Sequence, residues 1–576
     1  MKIQDIYRQS KYKSLDDDSA RGLLSALNDY IWTLEENPKV GKYTGMNASH
    51  AILAYRNLYQ NYPLLKAEID SQGEDIRWVI EHYTRFFNAQ NIANTLNAMA
   101  KLGLSVEGLE EVLRAVVLRN AQYFNAQDIA NTLNAMARLG LSAEGLEEVL
   151  RAAVSRNAEV FNAQDIANTL NAMSKLGLLV EGLEKILLSA ISRNAQDFNA
   201  QEIANTLNAM AKLGLVEEGL EKTLLTVVSR KSQHFNAQNI ANTLNAMAKL
   251  RLSAEGCDQI LLSAVSRKAQ YFNAQGIANT LNAMAKLGLS VEGLEEVLRA
   301  AVSRNAEDFN AQDIANTLNA MVKLGLSAEG LEKTLLTVVS RNAQHFNAQN
   351  IANTLNAMAK LGLSAEGLEE ELLSAISRNA EDFNAQNIAN TLNAMVKLRL
   401  SDLTLTSNLL GRSYDMRLEG MGYLQVYHAA YWARYMWKMA MDELPEHIIY
   451  SANQCLIQSV TESMLQRDVM SLFSGLYPRV DLEQEKLIGP TIVDGYFEIN
   501  DQKVILEVYG PTHYNGSKKN QDTLDKEVLL KAMGYTVISI NHKDWDDKNK
   551  GDRKAMLISL IDPLHKKCPR SVRHGS

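Results

Sequence analysis

Residues 87–102 read FNAQNIANTLNAMAKL, and the phrase FNAQxIANTLNAM returns at intervals of 37 residues. Its first residue occurs nine times, at Phe87, Phe124, Phe161, Phe198, Phe235, Phe272, Phe309, Phe346 and Phe383. A second half of the form KLGLSAEGLEEVLRAAVSRNA follows in eight copies, and unrelated sequence replaces it after residue 400. The segment 47–58, NASHAILAYRNL, is a degraded copy. Such a period is typical of a repeat array, here with an atypical first unit.

The first half of each unit predicts a helix over 89–102. Asn88 is a good N-cap, and Gly103 supplies the left-handed residue that ends many helices. A buried stripe follows from apolar residues spaced i, i+4, i+7, namely Ile92, Leu96 and Met99. Arg251 and Arg399 replace the glycine in two copies, so we expect weaker turns there.

The second half predicts another helix, with Ser105 as its cap. Its apolar residues form a second stripe, made of Leu109, Val112, Leu113 and Val116. One helical hairpin cannot bury both stripes alone, so the units must stack. The predicted fold class is mostly α: an α-solenoid of about nine 37-residue hairpins, followed by a small α/β domain.

A ladder of basic residues accompanies the repeats. The position of Lys101 is basic in every copy: Lys101, Arg138, Lys175, Lys212, Lys249, Lys286, Lys323, Lys360 and Lys397. A second basic position recurs as Arg119, Arg156, Arg193, Arg230, Arg267, Arg304, Arg341 and Arg378. Regular basic groups match the phosphates of a single strand, so we predict contacts with RNA phosphates at the Lys101 position. A helical wheel places residues 91, 94, 95 and 98 on the same polar face.

Two positions vary while the rest of the unit is copied. Before the invariant Ile stand Asn91, Asp128, Asp165, Glu202, Asn239, Gly276, Asp313, Asn350 and Asn387. Before the Phe stand Phe86, Tyr123, Val160, Asp197, His234, Tyr271, Asp308, His345 and Asp382. Varied hydrogen-bonding groups on a fixed scaffold are typical of modular base readers, so the nine residues of the first set are base-reading candidates.

Structural interpretations of the same residues stay open. Position 91 is the third residue after an Asn cap, where Asp, Glu and Asn are favoured without any ligand, although Gly276 caps nothing. The basic ladders can also pair with the Glu residues of the second helices. Residues 87–382 contain 25 basic and 32 acidic side chains, a net charge of −7, so only segregation of the Glu residues leaves a face that attracts RNA.

The phrase IANTLNAMAKLGL, in helical hairpins of this period, resembles the octotricopeptide and heptatricopeptide repeats. The resemblance covers 87 to about 400 and implies RNA binding. The Trp that is usual in that family is replaced by Asn97 and its equivalents.

The region 416–476 contains aromatic residues at helical spacings. We interpret it as a helical layer that closes the array, with a base-stacking surface as the alternative. Beyond it, 491–499 and 503–509 predict a hairpin around Asn500 and Asp501, followed by a helix over 523–533 and a strand over 536–540.

The segments VDGYFEIN, VILEVYGPTHYN, TLDKEVLLKAMGYTVISI and HKDW, over about 485–560, resemble the RAP domain. That resemblance implies a restriction-endonuclease-like fold, in which Asp494 and Glu507 correspond to a catalytic pair that holds a divalent metal such as Mg²⁺. Tyr509 stands where the family has Asp and the nucleases have Lys, which weakens a hard-metal site. His513, Lys518 and Lys519 are alternative RNA contacts.

Composition limits the class of protein. The chain has 576 residues, a net charge of −8 and three cysteines that are far apart, so neither a disulfide framework nor a zinc site is expected. No apolar run approaches the ~20 residues of a membrane span, and no signal or transit segment is evident. We expect a monomer in the cytoplasm, with export to another cell or an organelle left open.

The sequence therefore predicts sequence-selective binding of single-stranded RNA by the repeats, with the RAP domain assisting RNA binding or processing and no cofactor required. A repeat-guided, metal-dependent endoribonuclease and a protein-binding scaffold stay open as alternatives. Five segments are predicted: an N-terminal cap with a degenerate repeat at 1–86, nine repeats at 87–419, a helical cap or linker at 420–484, the RAP domain at 485–562 and a basic tail at 563–576.

Overall fold

The computed structural model describes residues 1–36, 41, 43–178, 181–217, 220–253, 256–458, 463–515 and 518–566. Residues 567–576, most of the predicted basic tail, lie outside the described residues. The chain forms two compact units, 1–305 and 306–576.

The first unit begins with helices that precede the repeats, α1 (Ile3–Ser10), α2 (Asp17–Glu36), α3 (Thr44–Asn61), α4 (Lys66–Asp70) and α5 (Gly73–Tyr83). Helix α3 contains the degraded copy at 47–58 and packs against the first full repeat, with Ser49 Oγ 3.4 Å from Thr95 Oγ1.

Each repeat begins with a helix of fourteen residues, called here the first helix. In the first unit these are α6 (Ala89–Leu102), α8 (Ala126–Leu139), α10 (Ala163–Leu176), α12 (Ala200–Leu213), α14 (Ala237–Leu250) and α16 (Ala274–Leu287). In the second unit they are α18 (Ala311–Leu324), α20 (Ala348–Leu361) and α22 (Ala385–Leu398). The predicted bounds 89–102 are confirmed, because Asn88 accepts from the Asn91 amide and Gly103 has φ 68°.

A second helix follows in each repeat. These helices are α7 (Glu110–Asn120), α9 (Glu147–Asn157), α11 (Glu184–Asn194), α13 (Leu220–Lys231), α15 (Asp258–Lys268), α17 (Glu295–Asn305), α19 (Glu332–Asn342) and α21 (Glu369–Asn379). A three-residue 3₁₀ turn such as Ala121–Tyr123 leads to the next Phe. The predicted cap was wrong: Ser105 Oγ accepts from the Glu107 amide of a preceding turn, and α7 begins at Glu110.

Within each unit, successive first helices pack side by side. Ile92, Leu96 and Met99 are fully buried, as predicted. Asn91, Thr95 and Ala98 are buried as well, so the wheel placed these three residues wrongly on the polar face. A wheel assigns one buried face, whereas a helix inside a stack is covered by neighbours on both flanks.

After the repeats, the second unit continues with α23 (Leu403–Tyr414), α24 (Met421–Tyr435), α25 (Glu446–Gln458) and α26 (Met464–Leu476). Helix α24 packs against α22, and its Tyr427 and Trp432 are buried. This is the packing expected of a closing layer.

The C-terminal region contains a four-stranded sheet in the order β1-β2-β3-β6. Its elements are β1 (Glu483–Ile488), β2 (Thr491–Ile499), β3 (Gln502–Tyr509), the short β4 (Tyr514–Asn515) and β5 (Lys518–Lys519), α27 (Gln521–Ala532), β6 (Thr536–Asn541), α28 (His542–Asp546) and α29 (Lys550–Lys566). Asn500 and Asp501 both have positive φ and join β2 to β3, as predicted. Strand β1 was not predicted.

Helices cover both faces of this sheet. Phe473 of α26 and Trp545 of α28 are fully buried in one apolar cluster with β2 and β3. Leu530 of α27 packs on the other face against Ile505. The stacked repeats and this small α/β region confirm the predicted fold class.

Candidate nucleic-acid interface and carboxylate site

Each first helix exposes a stripe of four polar side chains at spacing i, i+4, i+7, i+11. In the first copy these are Gln90, Asn94, Asn97 and Lys101, and all nine copies keep the same residues apart from Arg138 in the last place. The two Asn side chains are half-buried. Among the described residues, they form side-chain hydrogen bonds only in the ninth copy, where Asn390 accepts from Gln386 and Gln425. The amides of the other copies therefore keep both donors and acceptors for a ligand.

The basic end of the stripe is a row of like charges. Among the described residues, the copies from Lys101 to Lys360 form no ion pair; the last copy does, since Lys397 lies 2.9 Å from Asp522. Burial, followed by the charges of Lys175 and Lys249, lowers the pKa of Lys212. These lysines therefore repel their counterparts in neighbouring repeats instead of pairing with Glu.

The Arg119 series does not form a second row of free charges. Arg119 Nη2 donates to the carbonyls of Thr84, at 3.0 Å, and Phe87, at 3.3 Å. Equivalent bonds to carbonyls of the preceding repeat are made by Arg156, Arg193, Arg230, Arg304, Arg341 and Arg378. Arg267 donates to Ser263 of its own helix instead. Most of these arginines thus clamp successive repeats together, which the sequence pattern did not indicate.

The base-reading candidates lie at the start of each first helix. Seven of the nine form complete capping boxes in the described helices: Asn91, Asp128, Asp165, Glu202, Asn239, Asp313 and Asn387. Gly276 and Asn350 only donate their backbone amide to the cap residue. Burial, partly offset by the cap hydrogen bond, raises the pKa of Asp313. Base reading by these nine residues stays a prediction, and the hydrogen bonds in the structure are those of helix caps.

The position before each Phe varies on the surface. Tyr123 is 70% exposed, and the equivalents from Val160 to Asp382 are exposed too. A cavity of about 590 Å³ lies beside Tyr123, bordered by Gln90 and Arg119. The residues before each Phe are therefore accessible to a ligand, whereas most residues of the first variable set are buried at helix starts.

The two carboxylates of the predicted catalytic pair lie close to a lysine. Asp494 Oδ2 accepts from the Val508 amide at 2.6 Å, while Glu507 Oε2 lies 2.7 Å from Lys526 Nζ. Lys526 also donates to the Ile492 carbonyl at 2.8 Å. Desolvation, opposed by Lys526 and reinforced by Asp494, raises the pKa of Glu507 to about 7. Desolvation also raises the pKa of Asp494.

These groups do not fit a hard divalent ion. The Lys526 ammonium supplies the positive charge beside Glu507, and Mg²⁺ needs several oxygen ligands. Among the described residues, no three His, Cys, Asp or Glu side chains form a metal-binding group. Tyr509 adds a phenol whose buried oxygen has no hydrogen-bond partner among them.

The three alternative RNA-contacting residues near this site differ in whether their side chains already have partners in the protein. His513 Nδ1 lies 3.1 Å from Thr523 Oγ1, and Lys519 pairs with Glu527. Lys518 is exposed. Of these two lysines, Lys518 alone presents a charge that has no ion pair among the described residues.

Helix α22, the first helix of the ninth repeat, contacts the sheet domain through Arg399, which replaces the glycine at its C-cap. Arg399 has φ 61° and pairs with Asp525 of α27, and its guanidinium lies 4.4 Å from the Trp432 ring centroid. The contacts with Asp525 and Trp432 thus explain why an arginine stands at this position instead of glycine. Nothing in the structure explains the same replacement at Arg251.

The protein combines stacked helical hairpins, an exposed polar stripe and a small C-terminal α/β domain, and is thus a helical-repeat protein with a RAP domain. A family model of the RAP domain matches residues 506–560. The chain belongs to the family of the RNA-editing substrate-binding complex 6 protein, whose model matches residues 79–255 and 267–419. A model described only as a protein of unknown function matches 249–281. Together, the family and the RAP domain assign this chain an RNA-associated role.

Two further comparisons add no function. No curated protein matches the chain. One similar structure is a homology model of the full-length AP-3 complex in an intermediate open conformation, 10% identical, with a TM-score of 0.29 over 83% of this chain and 93% of that chain. Within the described residues, no helix is long and apolar enough to cross a membrane.

Proposed function

We propose that the protein binds single-stranded RNA along the stripes of its first helices. The observation that carries this proposal is the set of half-buried stripe amides of the first eight copies, whose side chains form no hydrogen bond among the described residues. Polar groups that are partly removed from water favour a partner that restores their hydrogen bonds. The unpaired bases and sugar hydroxyls of RNA offer both donors and acceptors.

The lysine row supplies the electrostatic part of binding. Burial, followed by the charges of Lys249 and Lys175, lowers the pKa of Lys212, and a polyanion relieves the repulsion between such lysines. Each phosphate contact releases a counterion from the strand, so affinity depends on salt. The net negative charge of the repeats does not prevent this, because the lysines from Lys101 to Lys360 form no ion pair with Glu among the described residues.

Selectivity enters through the exposed position before each Phe. Tyr123 and Tyr271 offer rings on which a base can stack, whereas Asp308 only accepts hydrogen bonds. Apart from Arg138, the stripe is the same in every copy, so it cannot give different repeats different base preferences. The family is named for a complex, so we also propose a protein partner. The acidic first turns of the second helices, which form no ion pair among the described residues, offer it negative charge.

The RAP domain supports binding rather than cleavage in this account. A metal-assisted hydrolysis needs an open ion site, whereas Lys526 already neutralises Glu507. The exposed Lys518 extends the basic surface of that domain.

Binding of a fluorescent random-sequence RNA to the full chain, followed by anisotropy, tests the proposal. We expect single-stranded RNA to bind more tightly than the duplex, and Asn242→Ala with Asn279→Ala to weaken binding several-fold by removing stripe amides. Gln259→Ala, an exposed amide on a second helix and outside the stripes, is the matched control. Equal affinity for the stripe variant and the control would contradict the proposal.

A further inference from the structure

The second unit contains a cavity of about 280 Å³ where α22, α24, α27 and the turn before β2 meet. Leu424 of α24 and Leu529 of α27 provide apolar walls. Asn393, Gln425 and His428 provide polar groups that converge on the same space. An apolar cavity with a few converging polar groups is the usual form of a ligand site.

The three polar side chains that converge on the cavity form few hydrogen bonds within the protein. Among the described residues, the side chains of Asn393 and His428 form no hydrogen bond, and Gln425 forms one long bond of 3.5 Å to Asn390. Burial lowers the pKa of His428 to about 4, against opposing effects of Asp525 and Asp522. A neutral imidazole has one donor and one acceptor, and each amide has both.

The charges around the cavity select against an anion. Lys397 is paired with Asp522, and Lys526 with Glu507. Asp525, which also lines the space, holds Arg399 with Oδ1. A phosphate would meet carboxylates without a free cation, whereas a planar ring with N–H groups on its edge would find acceptors and apolar walls.

The position of the cavity connects it to the polar stripe. Asn393 and Lys397 are the third and fourth residues of the ninth stripe, and both line the cavity. An RNA strand bound along the stripes of the second unit would therefore reach the opening of the cavity.

We propose that this cavity receives a single unpaired nucleobase of the bound RNA, held by hydrogen bonds from Asn393, Gln425 and His428 between the apolar walls. Enzymes and readers that take a base out of a stack hold it in the same manner. This inference rests on the proposed RNA binding. The cavity is smaller than the sites of drug-sized ligands, which suits one base and excludes a folded RNA element.

Photocrosslinking with the full chain tests the inference directly. A set of short RNAs carries one 4-thiouridine each, at successive positions, and the crosslinked peptides are mapped by mass spectrometry. We expect a base near one end of the RNA to crosslink within 421–435 and the other bases to crosslink to first helices. RNA that binds but crosslinks only to first helices would overturn the inference and leave the proposed function intact.

Abasic substitution gives a second readout. At the crosslinking position we expect loss of the base to weaken binding about tenfold for the unmodified protein, equal to ~1.4 kcal/mol, and not at all for Gln425→Leu with His428→Leu. Gln454→Leu, on an exposed face of α25, should keep the tenfold effect. The same abasic penalty in all three proteins would overturn the inference, and absence of any RNA binding would overturn the proposed function with it.

Discussion

Lys526 of α27 lies 2.7 Å from Glu507 of β3 and holds a carboxylate that is 1% exposed. The ion pair crosses from a helix to the sheet face that it covers, at the position where the nuclease resemblance places a metal. In our proposal the RAP domain supplies its own cation beside Glu507, whereas catalysis by Asp494 and Glu507 stays a prediction from the resemblance.

The first prediction concerns pH. Folded Glu507 keeps its proton up to a pKa of about 7, while the unfolded group loses it near 4.5. Because the folded protein binds more protons in this window, its free energy of unfolding falls as the pH rises from 4.5 to 7. Relative to Glu507→Gln, we expect a loss of up to ~1.4 kcal/mol per pH unit. Urea unfolding followed by tryptophan fluorescence measures it, and parallel pH profiles would contradict it.

The second prediction compares the two replaced C-cap glycines. Arg251 and Arg399 both have a positive φ, but only Arg399 holds an aspartate among the described residues. Arg251→Gly relieves left-handed strain and should raise stability by ~1 kcal/mol. Arg399→Gly should give no gain, because it also leaves Asp525 without its ion pair. Thermal unfolding of both variants measures this, and equal gains would show that the Asp525 contact is worthless.

The third prediction concerns a column of buried hydroxyls. Thr206 and Thr243 are fully buried, and their Oγ1 atoms have no partner among the described residues. Burying an unpaired hydroxyl costs ~1–3 kcal/mol, so Thr243→Val should stabilise the protein by about 1 kcal/mol. Thr226→Val, which removes an exposed hydroxyl bonded to the Lys222 carbonyl, should not. Destabilisation by Thr243→Val would indicate a hidden partner for the column.

The fourth prediction separates caps from surface positions. Asp313 and Asn350 are the third residues of adjacent first helices. Either side chain is favourable at that position, so exchanging them should change stability by only a few tenths of a kcal/mol. The RNA selected from a random pool should stay the same. Exchanging Asp308 and His345, which are exposed, should alter the selected sequence. A changed preference after the Asp313 and Asn350 exchange would restore base reading by the cap position.

The helix bounds and the hairpin were predictable because their signals are local. Asn88 and Gly103 act on their own helix, and Asn500 with Asp501 fix the turn through their own φ angles. The role of Arg119 depends on carbonyls about 32 residues earlier, so it becomes visible only when the repeats are stacked.

The carboxylate site was predictable only in part. Resemblance to the RAP domain indicated Asp494 and Glu507, but Lys526 comes from a helix and reaches them only after the chain crosses the sheet. The exposed stripe was partly misplaced for a related reason. Neighbouring helices decide which flank of a first helix is covered. The wheel therefore assigned the buried Thr95 to the surface and missed the half-buried Asn97 of the stripe.

The salt dependence of RNA binding tests the central claim most directly. A variant in which Lys249, Lys286 and Lys323 are all changed to Gln tests it. The slope of the logarithm of the RNA association constant against the logarithm of the salt concentration should flatten by up to ~2 units, since each phosphate contact with a single strand contributes roughly 0.7. The control changes three exposed lysines of second helices, Lys185, Lys222 and Lys333, to Gln, and should leave the slope unchanged. An unaltered slope in the stripe variant, or an equal change in the control, would contradict RNA binding along the first helices.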